Sequence, residues 1–398
     1  MNTISKNITK LALLLVVAIS ILSTSCNKGY EEISATQMPA SGPTLAEIIN
    51  TDPNYTLLRD QLVRTGLINA LGQRNGSFTL LAPDNAAFAN TNPALTSTAV
   101  INTVFTVTAM TGILQYHVIT NRILAAQIPT TFPNAQYPTL ISLAANPLVR
   151  FPVCLGRNSV GAWANQVPIV TPDAVVAQNG VIHRLFAVLV PPSSGTMLSS
   201  INANANLTYL SAAIVRADTN TAAAPSSYTS ILSTANPLAS FTLFAPNDAA
   251  FRQLLIGAIA QALIANGMFP PTAIATATAL ASTPAVFSNP ALFGALSAAT
   301  VRGILAYHFL APAPNGTTIF GNRVFTPNLP LVTTPLPTFV NGVIPAHPGV
   351  IIDRSGAAPR LQGLGNGVGN FANFVAGSTN INNLGGVYHI IDRVLLPQ

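Results

Sequence analysis

The sequence predicts two α+β domains in tandem, each closing its own apolar core. Three observations lead there. The composition demands large interiors, one long segment pattern is written twice in the same order, and each copy mixes strand-like alternation with helical stripes. Of 398 residues, 49% are hydrophobic and only 7% charged. The apolar side chains must therefore build cores, and Asn, Thr, Ser, Gln and Pro must supply much of the surface. Residues 26–398 exceed one typical domain and suit two.

The repeat emerges when the chain is slid along itself. Phe78-Thr-Leu-Leu-Ala-Pro-Asp-Asn-Ala-Ala-Phe88 returns as Phe241-Thr-Leu-Phe-Ala-Pro-Asn-Asp-Ala-Ala-Phe251, identical at eight of eleven positions. Ile113-Leu-Gln-Tyr-His-Val118 returns as Ile304-Leu-Ala-Tyr-His-Phe309, and the ends match from Val181-Ile-His183 to Pro191 against Val387-Tyr-His389 to Pro397. These matches set the domains at 41–192 and 195–398, joined by Pro191-Pro-Ser-Ser-Gly195, a short and partly stiff linker. Phe241 and Tyr307 lie 66 apart where Phe78 and Tyr116 lie 38. The second copy thus carries insertions: an Ala-rich stretch at 256–299, a Pro-rich one at 311–350 and a Gly/Asn-rich one at 361–386, all expected as surface loops.

Ahead of the first copy, Lys6 and Lys10 precede an apolar run at 11–22, interrupted only by Ser20, then Ser23, Thr24, Ser25 and Cys26. This is the pattern of an export signal at 1–25. As a helix the run reaches about 18 Å, short of the roughly 30 Å of a hydrocarbon core, so it addresses the chain rather than spanning a membrane. Small residues leading to a cysteine resemble the lipobox of bacterial lipoproteins, with Leu22 one place earlier than usual. That resemblance implies lipidation of Cys26, and residues 26–40 then form a polar tether. The expected location is the cell envelope, as an outer-membrane lipoprotein that is surface exposed or periplasmic.

Within each copy the elements follow from local chemistry. Thr44 and Glu47 have capping-box spacing before a helix, and Thr196 keeps the cap in the second copy. Tyr55, Leu58 and Leu62, matched by Leu207, Leu210 and Ile214, form a helical core stripe. Phe78-Thr-Leu-Leu-Ala-Pro83 alternates as a short strand that Pro83 ends, after which Asp84, or Asn247, caps a helix that Phe88 or Phe251 packs inward. Asp84 and Asp248 read as helix-start residues rather than acids, since no paired carboxylate accompanies them. Tyr116 and His117 end a buried stripe of Met110, Ile113 and Leu114, and Tyr307 and His308 do the same, so each ring must find hydrogen bonds inside. The runs at 181–190 and 387–396 read as closing strands buried on both faces, behind the turns Asn179-Gly180 and Gly385-Gly386.

These three elements in this order, twice over, resemble the fasciclin domain. The resemblance implies a β-sandwich-like wedge of about seven strands with helices packed beside it, a role in cell-surface or matrix adhesion, and no enzymatic activity. In animal relatives the region around the Tyr-His pair is associated with integrin binding, a property that would carry over only to Tyr116, His117, Tyr307 and His308. With His183 and His389 these residues make up the family motif, and its expected role here is structural.

Several functions are excluded or set aside by the residues themselves. The net charge of +6 falls to +4 once Lys6 and Lys10 are removed, and the cations are scattered without a basic run, which argues against nucleic acid. His117 with His183, and His308 with His389, lack the carboxylates or thiolates of a metal site. No nucleophile elbow, phosphate-binding loop or catalytic set is found, and no cofactor is expected. Cys154 has no partner once Cys26 is lipidated and reads as a buried thiol. The expected partner is a matrix or cell-surface protein or polysaccharide. The alternative is a surface glycan-binding component of a polysaccharide uptake system, in which Trp163, with Tyr137, Phe151 or Phe132, stacks on sugar rings.

Overall fold

The computed structural model describes residues 41–143, 146–220, 226–311 and 323–398. The expected signal at 1–25, the lipidated Cys26 and the tether at 26–40 lie outside the described residues.

In the first half, helix α1 (Leu45–Thr51) starts at Thr44, whose Oγ1 accepts the Glu47 N–H while Glu47 Oε2 accepts the Thr44 N–H, so the capping box forms. Helices α2 (Thr56–Arg64) and α3 (Ile68–Leu71) bury Leu58, Leu62 and Leu71 beside it. Strand β1 (Phe78–Pro83) ends at its proline, and the Asp84 carboxylate accepts the Ala87 N–H at 2.8 Å to begin α4 (Asn85–Thr91). After α5 (Thr98–Val104) and α6 (Val107–Tyr116) come β2 (Val118–Ile119), β3 (Ala135–Leu143), β4 (Asn146–Arg157), β5 (Ala162–Ala164), β6 (Val167–Ala177) and β7 (Gly180–Leu185). Successive strands pair antiparallel, and a parallel pairing of β1 with β7 closes the seven into a barrel.

That closure explains the two-sided burial of the shared strands. Side chains alternate across a strand. Leu80 and Ala82 of β1 and Ile182 of β7 therefore enter the helix layer with Leu45, Ile49, Leu58 and Phe88, whereas Leu81 and Leu185 enter the barrel with Tyr116, Val153 and Leu155. Gly180 stands where β7 meets β1, and a Cβ there would lie 2.4 Å from the Phe78 carbonyl oxygen. Only glycine permits that approach.

The second half repeats the scheme. Helices α7 (Met197–Asn202), α8 (Thr208–Ala217) and α9 (Tyr228–Leu232) precede β8 (Phe241–Pro246), and Asn247 caps α10 (Asp248–Ala265) through the Ala250 N–H at 2.8 Å. Helices α11 (Pro270–Leu280) and α12 (Ala298–Ala306) follow, then β9 (Thr334–Leu336), β10 (Val350–Asp353), β11 (Arg360–Gln362), β12 (Ala372–Asn373), β13 (Ile381–Asn383) and β14 (Gly386–Ile391). Its strands form two sheets, β13-β14-β8 and β12-β11-β10-β9, with β14 parallel to β8 as β7 is to β1. Leu243, Ala245, Tyr388 and Ile390 face the helices, while Phe244 and Ile391 face Tyr307, Val350 and Ile352. Both halves are α+β, and each has its own interior.

Two expectations are corrected. The closing strands end at Leu185 and Ile391, not at 190 and 396, and Phe186 and Val190 are exposed. The reason lies in the partner strand: Leu185 faces Pro83 and Ile391 faces Pro246. Beyond a proline that ends its strand, no ladder remains to join. The Ala-rich insertion at 256–299 is not a loop but chiefly the rest of α10 and the whole of α11, whose Ala273 and Ala277 are buried. Alanine is the best helix former, and Pro270 and Pro271 sit in the first turn, where proline is tolerated. Part of the Pro-rich insertion, at 312–322, lies outside the described residues.

The halves meet through a small dry contact and a cluster of polar bonds. Cys154 of β4 packs with Phe325 and Val387, all fully buried. Beside them, and wholly inside the second half, Arg323, 1% exposed, donates from Nη1 to Asn382 Oδ1 (2.6 Å) and the Asn383 carbonyl (2.7 Å), and from Nη2 to the carbonyls of Pro237 (3.1 Å) and Leu384. Ser240 Oγ donates to Gln136 Oε1, Asn158 Nδ2 to the Pro327 carbonyl and Asn328 Nδ2 to the Asn165 carbonyl.

Candidate functional site

The family-motif residues come together in the same way in both halves. His117 ends α6, where its Nδ1 lies 2.8 Å from the Ile113 carbonyl and its Nε2 receives the Leu189 N–H at 2.9 Å. His308, at the end of α12, makes the matching contacts with the Ile304 carbonyl (2.8 Å) and the Leu395 N–H (2.9 Å). A carbonyl can only accept and an N–H can only donate, so each ring is neutral with its proton on Nδ1. Burial holds both imidazoles down to about 4, against the opposing pull of the carbonyl. The backbone carbonyl of each histidine also accepts from β1 or β8, at the Leu81 and Phe244 N–H groups. One residue thus ties helix end, strand and chain exit together.

The second histidine of each half carries the opposite tautomer. His183 Nε2 lies 2.8 Å from the Ile123 carbonyl while its Nδ1 receives the Asp173 N–H, and His389 repeats this with the Val324 carbonyl and the Asn380 N–H. Burial lowers the His183 pKa and takes His389 down to about 4. Asp173 and Asn380 both adopt positive φ, +47° and +58°, a conformation that Asp and Asn tolerate better than most residues. With both nitrogens of all four rings engaged by backbone, no imidazole lone pair is left for a metal. Among the described residues no group of three His, Cys, Asp or Glu is placed to hold one.

The tyrosines are likewise spent inside. Tyr116 Oη donates to the Pro152 carbonyl at 3.0 Å and accepts from Asn165 Nδ2, and Tyr307 Oη donates to the Gly349 carbonyl at 2.6 Å and accepts the Leu364 N–H. Both are 0% exposed, and burial pushes Tyr116 up to about 12. None of the six motif side chains, two tyrosines and four histidines, is exposed to meet a partner. Asp84 and Asp248 hold backbone and hydroxyl groups at helix starts, Asp248 taking the Tyr209 N–H and the Thr208 hydroxyl. The Cys154 thiol is raised to about 12 by burial, far from a nucleophile's range.

The aromatic residues expected on sugars are only partly assembled. Phe151 belongs to the barrel interior and Tyr137 packs half-buried against it. Trp163 is half-buried on β5 opposite Gly156, so its indole lies on the barrel face that also carries Cys154. Phe132 lines a cleft of about 330 Å³ between the halves, along with Asn134, Gly156 and Arg157 from the first half and Asn328 and Leu331 from the second. Asn134 is 6% exposed, and neither its Oδ1 nor its Nδ2 has a hydrogen-bond partner among the described residues.

Sequence reasoning missed Asn134, Asn165 and the Asn-Arg pairs Asn121-Arg122 and Asn322-Arg323, although the last recur behind both Tyr-His pairs. An insertion of unequal length hides that recurrence. Asn134 carries no periodicity or spacing signal at all.

Comparison with known proteins follows the same lines. The family model for the fasciclin domain matches residues 53–191. Protein sll1483 of Synechocystis is 32% identical over 154 residues, 38% of this chain and 76% of its own length. Transforming growth factor-beta-induced protein ig-h3 of Sus scrofa is 28% identical over 153 residues, a stretch that spans only 20% of that protein. A solved structure of a FAS1 domain pair from the insect cell adhesion molecule Fasciclin I aligns at 16% identity with a TM-score of 0.31, covering 88% of this chain and 95% of that one.

Proposed function

The chain belongs to the fasciclin domain family, and from that membership we propose that it is a non-catalytic adhesion protein, held on the cell envelope by lipid on Cys26. Its partner is a matrix or cell-surface protein or a polysaccharide. One observation carries this reading: the motif histidines and tyrosines of both halves are consumed by internal hydrogen bonds, so what each half offers outward is a nearly uncharged polar surface. Such a surface suits broad contact with a neutral or weakly charged matrix better than chemistry on a small substrate.

The test is retention. Purified protein passed over immobilised polysaccharide, matrix protein and whole cells is expected to bind at least one of them reproducibly and to remain chemically unchanged. Failure to be held by every one of these surfaces would end the reading. A second reading, a glycan-binding component of a polysaccharide uptake system, is favoured by the half-exposed Trp163 and by Phe132 at the cleft. Selective loss of glycan-array signal in Trp163→Ala supports that second reading, and unchanged signal removes it.

A further inference from the structure

We propose that the hairpin of α10 and α11 carries a membrane contact, its tip entering the interfacial layer of a lipid bilayer. This contact goes beyond the adhesive reading and does not depend on the lipid at Cys26. From Gln253 to Val301 no residue is charged, the longest such stretch in the chain. Burial does not account for it. Helix α10 is apolar enough along its 18 residues to pass for a membrane span, yet only 28% of them are buried. A core helix of that composition would be mostly covered. Its first three turns are docked, through Phe251, Leu255 and Ile259 in the core and Asp248 on the Tyr209 N–H, and α11 packs chiefly on α10. The far end is left open. Phe269 is 69% exposed, Ile274 52% and Ile264 40%, and a Cβ on Gly267 would meet nothing within 4 Å.

The backbone at this end suits a medium poor in water, where an unpaired main-chain group is costly. Gly267, at φ +87°, lets the Met268 N–H reach back to the Leu263 carbonyl at 3.0 Å, while its own N–H meets the Ile264 carbonyl at 2.9 Å. Asn266 turns its Nδ2 onto the Ala262 carbonyl at 2.8 Å. Where α11 starts, Pro270 and Pro271 bring no N–H, so two of the donors that a helix start leaves open do not exist. A protein partner fits this tip poorly. The three exposed side chains offer roughly 300 Å², against roughly 800 Å² on each side of a standard protein interface. The stretch also lacks Trp, Tyr and Arg, the residues that most often anchor such an interface. A bilayer requires neither a large area nor a matching shape, since each apolar side chain it takes up is favoured separately. The same lack of charge makes the contact indifferent to the sign of the headgroups.

The experiment moves the chain's single indole to the tip. Trp163→Phe combined with Phe269→Trp is prepared as the full chain and reconstituted in phosphatidylcholine vesicles, with and without bromine on the acyl chains. Val343→Trp in the same Trp163→Phe background, at a site 85% exposed, reports on the rest of the second half. The indole of Phe269→Trp is expected to emit at shorter wavelength than that of Val343→Trp and to be quenched about twofold by bromine, unchanged in high salt or when phosphatidylglycerol replaces part of the lipid. Ile274→Asp added to Phe269→Trp is expected to remove most of the quenching. The replaced tip residues are exposed, so these variants retain the fold, a point checked by circular dichroism. Absence of quenching in Phe269→Trp overturns the proposal, as does equal quenching of Val343→Trp, which marks adsorption without a preferred face. Blue-shifted emission that bromine leaves untouched assigns the tip to a second copy of the chain and overturns it too. None of these outcomes involves retention on matrix or cells, so the adhesive reading stands or falls on its own assay.

Discussion

A neutral imidazole donates from one ring nitrogen and accepts at the other, and each repeated histidine is held to that division by two backbone groups. Protonation would set a second N–H against an N–H donor in a buried setting. The folded values near 4 for His117, His308 and His389 lie below the unfolded value of 6.5. Their stabilisation is therefore complete above pH 6.5 and is lost as pH falls from 6.5 towards 4, where folded and unfolded forms bind protons alike. Each ring accounts for about 3 kcal/mol of that loss. Urea unfolding midpoints measured between pH 7.5 and 4 are expected to fall steeply below 6.5, and a flat profile there would contradict the assignment. The buried histidine was legible from its place on an apolar stripe. Its partners were not, because Leu189, Leu395, Asp173 and Asn380 contribute main-chain N–H groups, which carry no residue-type signature.

At the scale of elements, the two halves use one start signal for the helix behind the shared strand, Asp84 in the first and Asn247 in the second. Either side chain accepts from the N–H three residues on, so they are interchangeable as caps. Asp84→Asn is expected to change stability by a few tenths of a kcal/mol, whereas Asp84→Ala and Asn247→Ala each cost about 1 kcal/mol. Thermal unfolding of the three variants checks this, and an Ala variant as stable as wild type would refute the capping role. Caps, stripes and short strands were readable because they depend on neighbours within one or two turns. The barrel closure, the early end of β7 and β14, and the helical insertion were not, since each depends on what a distant segment supplies: a proline facing Leu185, or a surface for Ala273 and Ala277 to pack on.

For the whole molecule, the repeat specifies two interiors and then has to join them. The join uses what differs between the copies. Arg323 braces the second half's side of the contact through four acceptors of that same half, while its counterpart Arg122 is 7% exposed and makes no side-chain hydrogen bond among the described residues. Cys154 faces Phe325, so the unpaired thiol is explained by packing between halves rather than by reactivity. The sequence announced the copies through identity, yet the cleft holding Asn134 exists only because the copies pack against each other, which no single-copy pattern encodes. The central claim is that one pattern builds the same buried arrangement twice and so leaves function to the outer surface. Imidazole nitrogen NMR of the five histidines at pH 7 tests it most directly. The account predicts the Nδ1–H form for His117 and His308 and the Nε2–H form for His183, His389 and His347, whose Nε2 lies 2.8 Å from the Pro397 carbonyl. A spectrum in which His117 and His308 carry different tautomers, or in which either titrates near pH 6.5, would contradict it.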